Sequence, residues 1–256
     1  MNCVYVSDVG RVRSVNEDST WVDRLESGYT LAIVADGMGG HQAGDIASRM
    51  TVETITGDLG GLPEGLSAEA CGEQLKKAIL HANESVYRKA TEHAEYHSMG
   101  TTVVAGIFAG HGRGNRPYRR QPGLPFRNGQ IIQLTDDHSL VNELLKNKQI
   151  SAEEATMHPH RNVVTRALGT DERVEVDLNR VSMEPGDILL LCSDGLSNYV
   201  TPEQMALTLG NHDLGLNDRA DRLLQLALNA GGDDNISVVL LEQHEDAGSG
   251  IKEWNS

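Results

Sequence analysis

The chain has 256 residues, 39% of them hydrophobic, and carries 22 Lys and Arg against 37 Asp and Glu, a net charge of −15 at pH 7. This length admits one large domain or two small ones, and so acidic a chain argues against nucleic acid and anionic membranes as partners, because both repel it. Three cysteines without paired spacing, no secretory leader and no apolar run of about 20 residues lead us to expect a cytoplasmic protein without disulfides or membrane spans.

The first part of the chain predicts strands and then helices. Strand patterns occur at 2–7, 20–23 and 29–35, and helix patterns at 43–59 and 67–90, where Ser67 is a candidate N-cap. Another strand pattern follows at 101–108. Two successive helices after strands indicate a helical layer on a sheet.

The second part of the chain returns to strands. They are predicted at 130–135, 187–192 and 235–241, with helices near 202–210 and across 217–229 and a mixed helix and loop region at 139–168. Strands, then helices, then strands favour an α+β fold over alternating βαβ units. We expect one domain over residues 1–243, followed by a polar tail at 244–256.

Four aspartates lie beside predicted strand ends, each next to glycine or asparagine: Asp18, Asp36, Asp194 and Asp234. A carboxylate at the end of a core strand is costly to desolvate unless a counter-charge such as a divalent cation compensates it. Turn chemistry alone explains any one of these motifs, including Asp36-Gly37. Four of them are better explained by one oxygen-rich site for Mg²⁺ or Mn²⁺.

Two cationic or titratable residues lie near these motifs. Arg13 precedes Asp18, and an arginine fork suits a phosphate dianion better than a lysine does. His41 adjoins the glycine-rich turn after Asp36 and is the candidate for proton transfer. A surface histidine at a helix start explains His41 equally well.

Together these segments resemble the type 2C (PPM) protein phosphatases, bacterial Ser/Thr branch. The matching segments are SDVGRVRSVNED at 7–18, VADGMGGH at 34–41, MGTT at 99–102, LTDDH at 134–138, NVVTRALG at 162–169, LCSDGL at 191–196 and GGDDN at 231–235. They occur in family order over about residues 2–242. The resemblance implies an α+β fold, a four-layer α-β-β-α sandwich with two central antiparallel sheets.

The resemblance also implies a site with two Mg²⁺ or Mn²⁺ ions. Asp36 would bridge both, the Gly37 carbonyl and Asp18 would hold one, Asp194 and Asp234 would hold the other, and Arg13 would bind the substrate phosphate. Water between the ions would attack phosphorus in line, without a phosphoenzyme. Residues 139–168 would form a mobile flap beside the site.

The implied function is hydrolysis of phosphoserine and phosphothreonine on proteins in the bacterial cytoplasm, opposing a Ser/Thr kinase. We expect a monomer whose partners are phosphoproteins and that kinase, with neither nucleic acid nor membrane bound. Two alternatives stay open: a catalytically weak regulator that binds phosphoproteins through the same fold, and a hydrolase of small phosphoesters.

One segment, 110–127, departs from the family. There the resemblance requires a strand and a Gly-Asp-Ser-Arg turn, whose Asp contributes to a third, weaker metal position. The chain instead places three of its 7 prolines in this segment, and the expected Asp is not found. Proline cannot donate to a sheet ladder, so a central strand is not expected at 110–127.

A shifted reading frame is one explanation of this segment. The codons CCA TAT CGG CGA CAG CCG GGC CTA CCG encode residues 117–125, and read one base later they give His-Ile-Gly-Asp-Ser-Arg-Ala-Tyr. That is the missing family segment, and these codons are one choice among synonyms. The rival explanation is a true basic insertion that binds an acidic partner. A shift present in the gene itself would leave the two-metal site but impair turnover and stability.

Overall fold

A computed structural model describes residues 1–39, 43–109, 124–127, 129–133, 139–151, 153–154, 158–159, 163–181 and 183–243. Within this part of the chain, no helix is both long enough and apolar enough to cross a membrane. All three cysteines are free thiols.

Two antiparallel sheets form the centre of the molecule. The first contains, in spatial order, β1 (Asn2–Asp8), β8 (Ile236–Glu242), β7 (Ile188–Cys192), β5 (Leu124–Arg127) and β6 (Gln130–Ile131). The second contains β2 (Asp18–Arg24), β3 (Tyr29–Met38) and β4 (Gly100–Ala109). The pairing of the first and last strands, β1 with β8, brings the two ends of the described chain together.

Six helices accompany the sheets in the described part of the chain: α1 (Ala43–Gly60), α2 (Ala68–Glu92), α3 (Leu140–Lys146), α4 (Asp194–Ser197), α5 (Pro202–Leu209) and α6 (Leu216–Asn229). Ser67 caps α2 as predicted, because its hydroxyl accepts the Ala70 N–H at 3.1 Å. At α5, Thr201 and Gln204 form a reciprocal capping box. The predicted helices near 43–59, 67–90, 202–210 and 217–229 are confirmed.

Three apolar clusters show how the elements pack. Alternate residues of β3 face opposite ways: Leu31 and Ile33 pack with α1 and α2, whereas Ala32 and Val34 meet the other sheet. The five-stranded sheet likewise packs its outer face on α5 and α6, with Leu190 among the contacts. Both faces of the central strands are thus covered, which explains why β3, β7 and β8 read as continuous apolar runs.

Near the anomalous segment one strand prediction is wrong and another is confirmed only at its first two residues. Leu124–Arg127 is a strand between β7 and β6, although no central strand was expected within 110–127. Proline cannot donate a backbone hydrogen bond to a neighbouring strand. Pro125 is tolerated because β6 pairs only with Phe126 and Arg127 of β5, so at the proline β5 has a described partner strand on one side alone. The strand expected at 130–135 ends at Ile131, and Ile132 and Gln133 lie outside it.

Candidate active site

The register of the three-stranded sheet places two of the predicted aspartates side by side. Asp18, the first residue of β2, is the direct antiparallel partner of Asp36 on β3. Asp36 is in turn opposite Thr102 on β4, and the Thr101 hydroxyl donates to the Asp36 carbonyl at 2.8 Å. Directly opposed residues project to the same face of a sheet, so both carboxylates lie at one edge.

The other two aspartates come from the five-stranded sheet. Asp194 begins α4 just after β7 ends, and Asp234 lies just before β8. Because β7 and β8 are antiparallel, the end of one strand adjoins the start of the other, and the Ser193 N–H donates to the Ser237 carbonyl at 3.1 Å. Four strand ends from two sheets therefore bring Asp18, Asp36, Asp194 and Asp234 into one cluster.

Burial and mutual repulsion both raise the pKa of two acids in this cluster. Burial raises the pKa of Asp18 to about 6, the Ser193 and Ser237 hydroxyls oppose the shift, and the charges of Asp194 and Asp234 add to it. Burial also raises the pKa of Asp36 well above the ordinary carboxyl range, and the other three carboxylates raise it further. The protein on its own does not neutralise these acids.

One oxygen of the cluster lacks any partner. Asp18 is 9% exposed, and its Oδ2 is buried without a hydrogen bond from the described residues. A native fold seldom leaves a charged oxygen unsatisfied, since the loss is about 1–3 kcal/mol or more. A hard divalent cation is the ligand that such an oxygen and its neighbouring carboxylates suit.

Within the described part of the chain, no three His, Cys, Asp or Glu side chains already stand close enough to enclose a metal. A cation site at this cluster is therefore argued from the donor chemistry of the carboxylates and not from a preformed cage of ligands.

Gly37 lies where no other residue fits. A Cβ built on it would be 2.2 Å from the Gly44 carbonyl and 2.5 Å from the Glu17 carbonyl, closer than any side chain tolerates. Its N–H donates to that same Glu17 carbonyl at 3.1 Å. The glycine lets the start of α1 approach the entry to β2, directly beside Asp36.

Arg13 lies at the rim of the cluster, in the loop between β1 and β2. Its Nη2 donates to Asp234 Oδ2 at 2.9 Å, and its side chain is 48% exposed. The guanidinium is thus held beside the carboxylates while much of it stays open to a ligand from solvent. His41 lies outside the described residues, as do residues 110–123 and with them the segment in which the third-metal Asp was expected.

The flap predicted at 139–168 is tied to the site at its far end. Its helix, α3, begins after the Ser139 N-cap, and Ser139 pairs with Val164 across the base. Leu168 exchanges two backbone hydrogen bonds with Thr101, at 3.0 and 2.8 Å. Since Thr101 also donates to the Asp36 carbonyl, the end of the flap and the carboxylate cluster share one residue.

Among the residues that the structure places at the site without a role assigned from the sequence are Thr101, whose hydroxyl donates to the Asp36 carbonyl, and Asn235, whose side chain bonds the backbone of Val9, Val15 and Glu17. Both stood within recognisable motifs, but their partners are backbone groups of other segments. The sequence shows only that each is a polar residue directly beside a buried strand, which does not identify the group to which it hydrogen-bonds.

Comparison with known proteins covers nearly the whole chain. A family model for Protein phosphatase 2C matches residues 10–231. The chain is 39% identical over 244 residues to the serine/threonine phosphatase stp of Listeria welshimeri, covering 95% of this chain and 96% of that protein. It also resembles the solved structure of the S. agalactiae serine/threonine phosphatase, with a TM-score of 0.82, 35% identity and coverage of 95% and 99%.

A second solved structure is of the catalytic domain of the serine/threonine protein phosphatase PstP, in complex with 2 manganese ions. Its TM-score is 0.78 at 32% identity, with coverage of 95% of this chain and 98% of that one. The likeness thus extends over both sheets and the helices that pack on them.

Proposed function

The chain belongs to the protein phosphatase 2C family of serine/threonine phosphatases, and from that membership we propose that it hydrolyses phosphoserine and phosphothreonine on proteins at a site for two Mg²⁺ or Mn²⁺ ions. The observation that carries the proposal is the cluster of four mutually repelling carboxylates with an exposed arginine at its rim. Such a cluster suits hard cations, and the arginine suits the phosphate that they attract.

The residues fit the ions in their donor chemistry. Asp36 would be shared by both ions, as the family resemblance implies, and the charges of the other three carboxylates all act on it. Asp18, with its unpartnered oxygen, and the Gly37 carbonyl are assigned to one ion, and Asp194 and Asp234 to the other. Bound there, the ions supply a nucleophilic water at neutral pH. The two manganese ions in the PstP neighbour support a site for two ions.

The remaining roles belong to the chain's own side chains. Arg13 is proposed to take the substrate phosphate in its fork, leaving Asp234 to the metal. His41 is proposed to give a proton to the departing serine or threonine oxygen. The flap at 139–168, whose end at Leu168 bonds to Thr101 beside Asp36, is proposed to determine the choice of substrate.

The finer architecture and setting are also proposals. The three apolar clusters support a four-layer α-β-β-α sandwich in a single domain over residues 1–243, with 244–256 as a tail. A cytoplasmic monomer that opposes a Ser/Thr kinase is likewise proposed, as the family resemblance implies.

For residues 110–127 we retain the shifted-frame hypothesis. Among the described strands β4 pairs only with β3, and the other backbone pairing given for this ten-residue strand in the described chain is the bridge of Thr101 with Leu168. The nucleotide sequence of the gene decides: the shifted frame requires codons for 117–125 that also encode Gly-Asp-Ser-Arg one base later. Any incompatible codon refutes it and favours a true basic insertion.

The test of the function is manganese-dependent phosphate release from a phosphothreonine peptide, with metal-free protein and Asp36→Asn as controls. We expect turnover only in the metal-loaded wild type. If the wild type binds the peptide but releases no more phosphate than Asp36→Asn, the regulator alternative is favoured. Faster hydrolysis of phosphorylated metabolites than of phosphopeptides would favour the small-molecule alternative.

A further inference from the structure

The side chain of Asn235 joins the start of β8 to the loop between β1 and β2. Asn235 is 5% exposed, and its Nδ2 donates to the carbonyls of Val9 at 2.9 Å and Val15 at 3.0 Å. Its Oδ1 accepts the Glu17 N–H at 2.8 Å. One buried side chain thus holds both ends of residues 9–17, here called the arginine loop.

The arginine loop lies tightly against the turn that precedes β8. The Arg11 N–H donates to the Gly232 carbonyl at 2.7 Å. Gly10 has φ +80, and a Cβ on it would lie 2.3 Å from the Asp234 carbonyl. The loop therefore approaches this turn as closely as a glycine backbone permits.

The loop carries Arg13, whose own contact is too weak to hold it. The pair of Arg13 with Asp234 involves a side chain that is 48% exposed, and pairs of this kind contribute about 0–1 kcal/mol. The position of the guanidinium consequently depends on the backbone on either side of it. That backbone is fixed by Asn235 at Val9 and at Val15.

We propose that Asn235 is a positioning residue for phosphate recognition: it holds the arginine loop so that Arg13 meets the substrate phosphate beside Asp234. The proposal rests on the proposed function, because it takes Arg13 as the phosphate-binding group. Asn235→Ala leaves one N–H and two carbonyls of the loop without their partner, and the loop then shifts. A misplacement of about 1 Å near a reacting group lowers rate by about 10²-fold.

A double-mutant cycle between Asn235 and Arg13 tests this on the metal-loaded enzyme and a phosphothreonine peptide. We expect Asn235→Ala to lower kcat/KM by about 10- to 100-fold, mostly through KM, because phosphate binding is what weakens. In an Arg13→Ala background the same substitution should lower kcat/KM by less than about 3-fold. An equal factor in both backgrounds overturns the proposal, since Asn235 is then only a stabilising residue.

Asn83 provides a matched control. It is 2% exposed, accepts the Gly169 N–H at 2.8 Å, and donates to the carbonyls of Asp171 and Glu172 at 3.1 and 3.2 Å. Asn83→Ala thus removes three comparable hydrogen bonds from another segment. We expect whatever effect it has on kcat/KM to be the same with and without Arg13.

Hydrogen exchange of metal-free protein tests the anchor without catalysis. The Glu17 amide should exchange at least about 10-fold faster in Asn235→Ala than in wild type, and no faster in Asn83→Ala. Unchanged exchange at Glu17 overturns the anchor. If Asn235→Ala does not fold, Gly10→Ala displaces the same loop, and its effect on kcat/KM must likewise vanish without Arg13. Wild type without turnover refutes the phosphatase proposal, whereas the exchange result still decides the anchor.

Discussion

The acids at the two ends of strand β7 have opposite surroundings. Asp187 precedes the strand, is 3% exposed, accepts hydrogen bonds from Arg127 on both oxygens and is capped by the Glu184 N–H. Beyond the other end, Asp194 joins a cluster in which Asp18 keeps an unpartnered oxygen among the described residues. The chain neutralises Asp187 internally, whereas at the site it gives Asp18 Oδ2 no hydrogen bond from the described residues.

The largest expected effect is on activity, at the site end. Asp36→Asn should lower kcat/KM by on the order of 10³-fold or more, since ligation by this carboxylate is proposed for both ions and metal catalysis supplies several kcal/mol. The metal-free variant should nevertheless be more stable than wild type, because one of four repelling carboxylates is gone. Phosphopeptide hydrolysis measures the loss of kcat/KM, and urea unfolding in the presence of a chelator measures the gain in stability.

Asp58→Asn is the control for this substitution. Asp58 lies on α1 and pairs with His81 at 2.7 Å in an exposed position. Removing its charge should leave both kcat/KM and stability nearly unchanged. Lower stability in metal-free Asp36→Asn would contradict the view that the cluster is held against its own repulsion.

At the opposite end of β7, the expected effect is on stability. Arg127→Ala leaves Asp187 buried without its counter-charge, and breaking one partner of such a pair costs about 3–5 kcal/mol. Arg127 is partly exposed, so the lower end of that range is expected. Urea unfolding measures the loss, with Arg166→Ala, which removes exposed pairs with Glu175 and Asp177, as the control expected within about 0.5 kcal/mol.

These two ends also show how far the sequence predicts the molecule. Continuous apolar runs predicted β3, β7 and β8. A strand that is buried on both faces is apolar at successive positions, so it can be recognised without knowing which strands lie beside it. The presence of Pro125 led us not to expect β5. Only the pairing of β5 with β6 and β7 shows that the proline faces a described strand on one side alone. The pair of Arg127 with Asp187 was not predicted, since its members are far apart in sequence.

The site was predictable in its members more than in its geometry. Four acids at strand ends could be picked out from the sequence, but the register that opposes Asp18 and Asp36 depends on how β2 pairs with β3. Asn235 stood in a recognised motif without a role, because its partners are backbone groups that any residue supplies. The role of His41 stays a prediction.

A smaller effect should appear in the pH dependence of the metal-free protein. Asp18 has a pKa of about 6 in the folded state against 3.8 for an unperturbed carboxyl, so the folded state binds the extra proton. Stability should therefore fall as pH rises from about 4 to about 6, by up to about 3 kcal/mol from this group. Urea unfolding of wild type and Asp18→Asn across that range measures it, and equal slopes in both proteins would exclude Asp18 as the source.

The smallest effect on stability belongs to the second arginine–aspartate pair. Arg13→Ala removes a guanidinium that is 48% exposed, so the metal-free protein should lose no more than about 1 kcal/mol, and less at 1 M salt, where such charges are screened. The same substitution should lower kcat/KM by about 10- to 100-fold through the lost phosphate contact. Arg127→Ala should instead lower stability strongly and leave kcat/KM nearly unchanged, provided that activity is assayed at a temperature at which this variant remains folded. If Arg13→Ala destabilises the metal-free protein as much as Arg127→Ala does, the site is held together by its own charges, and the contrast between the two ends of β7 fails.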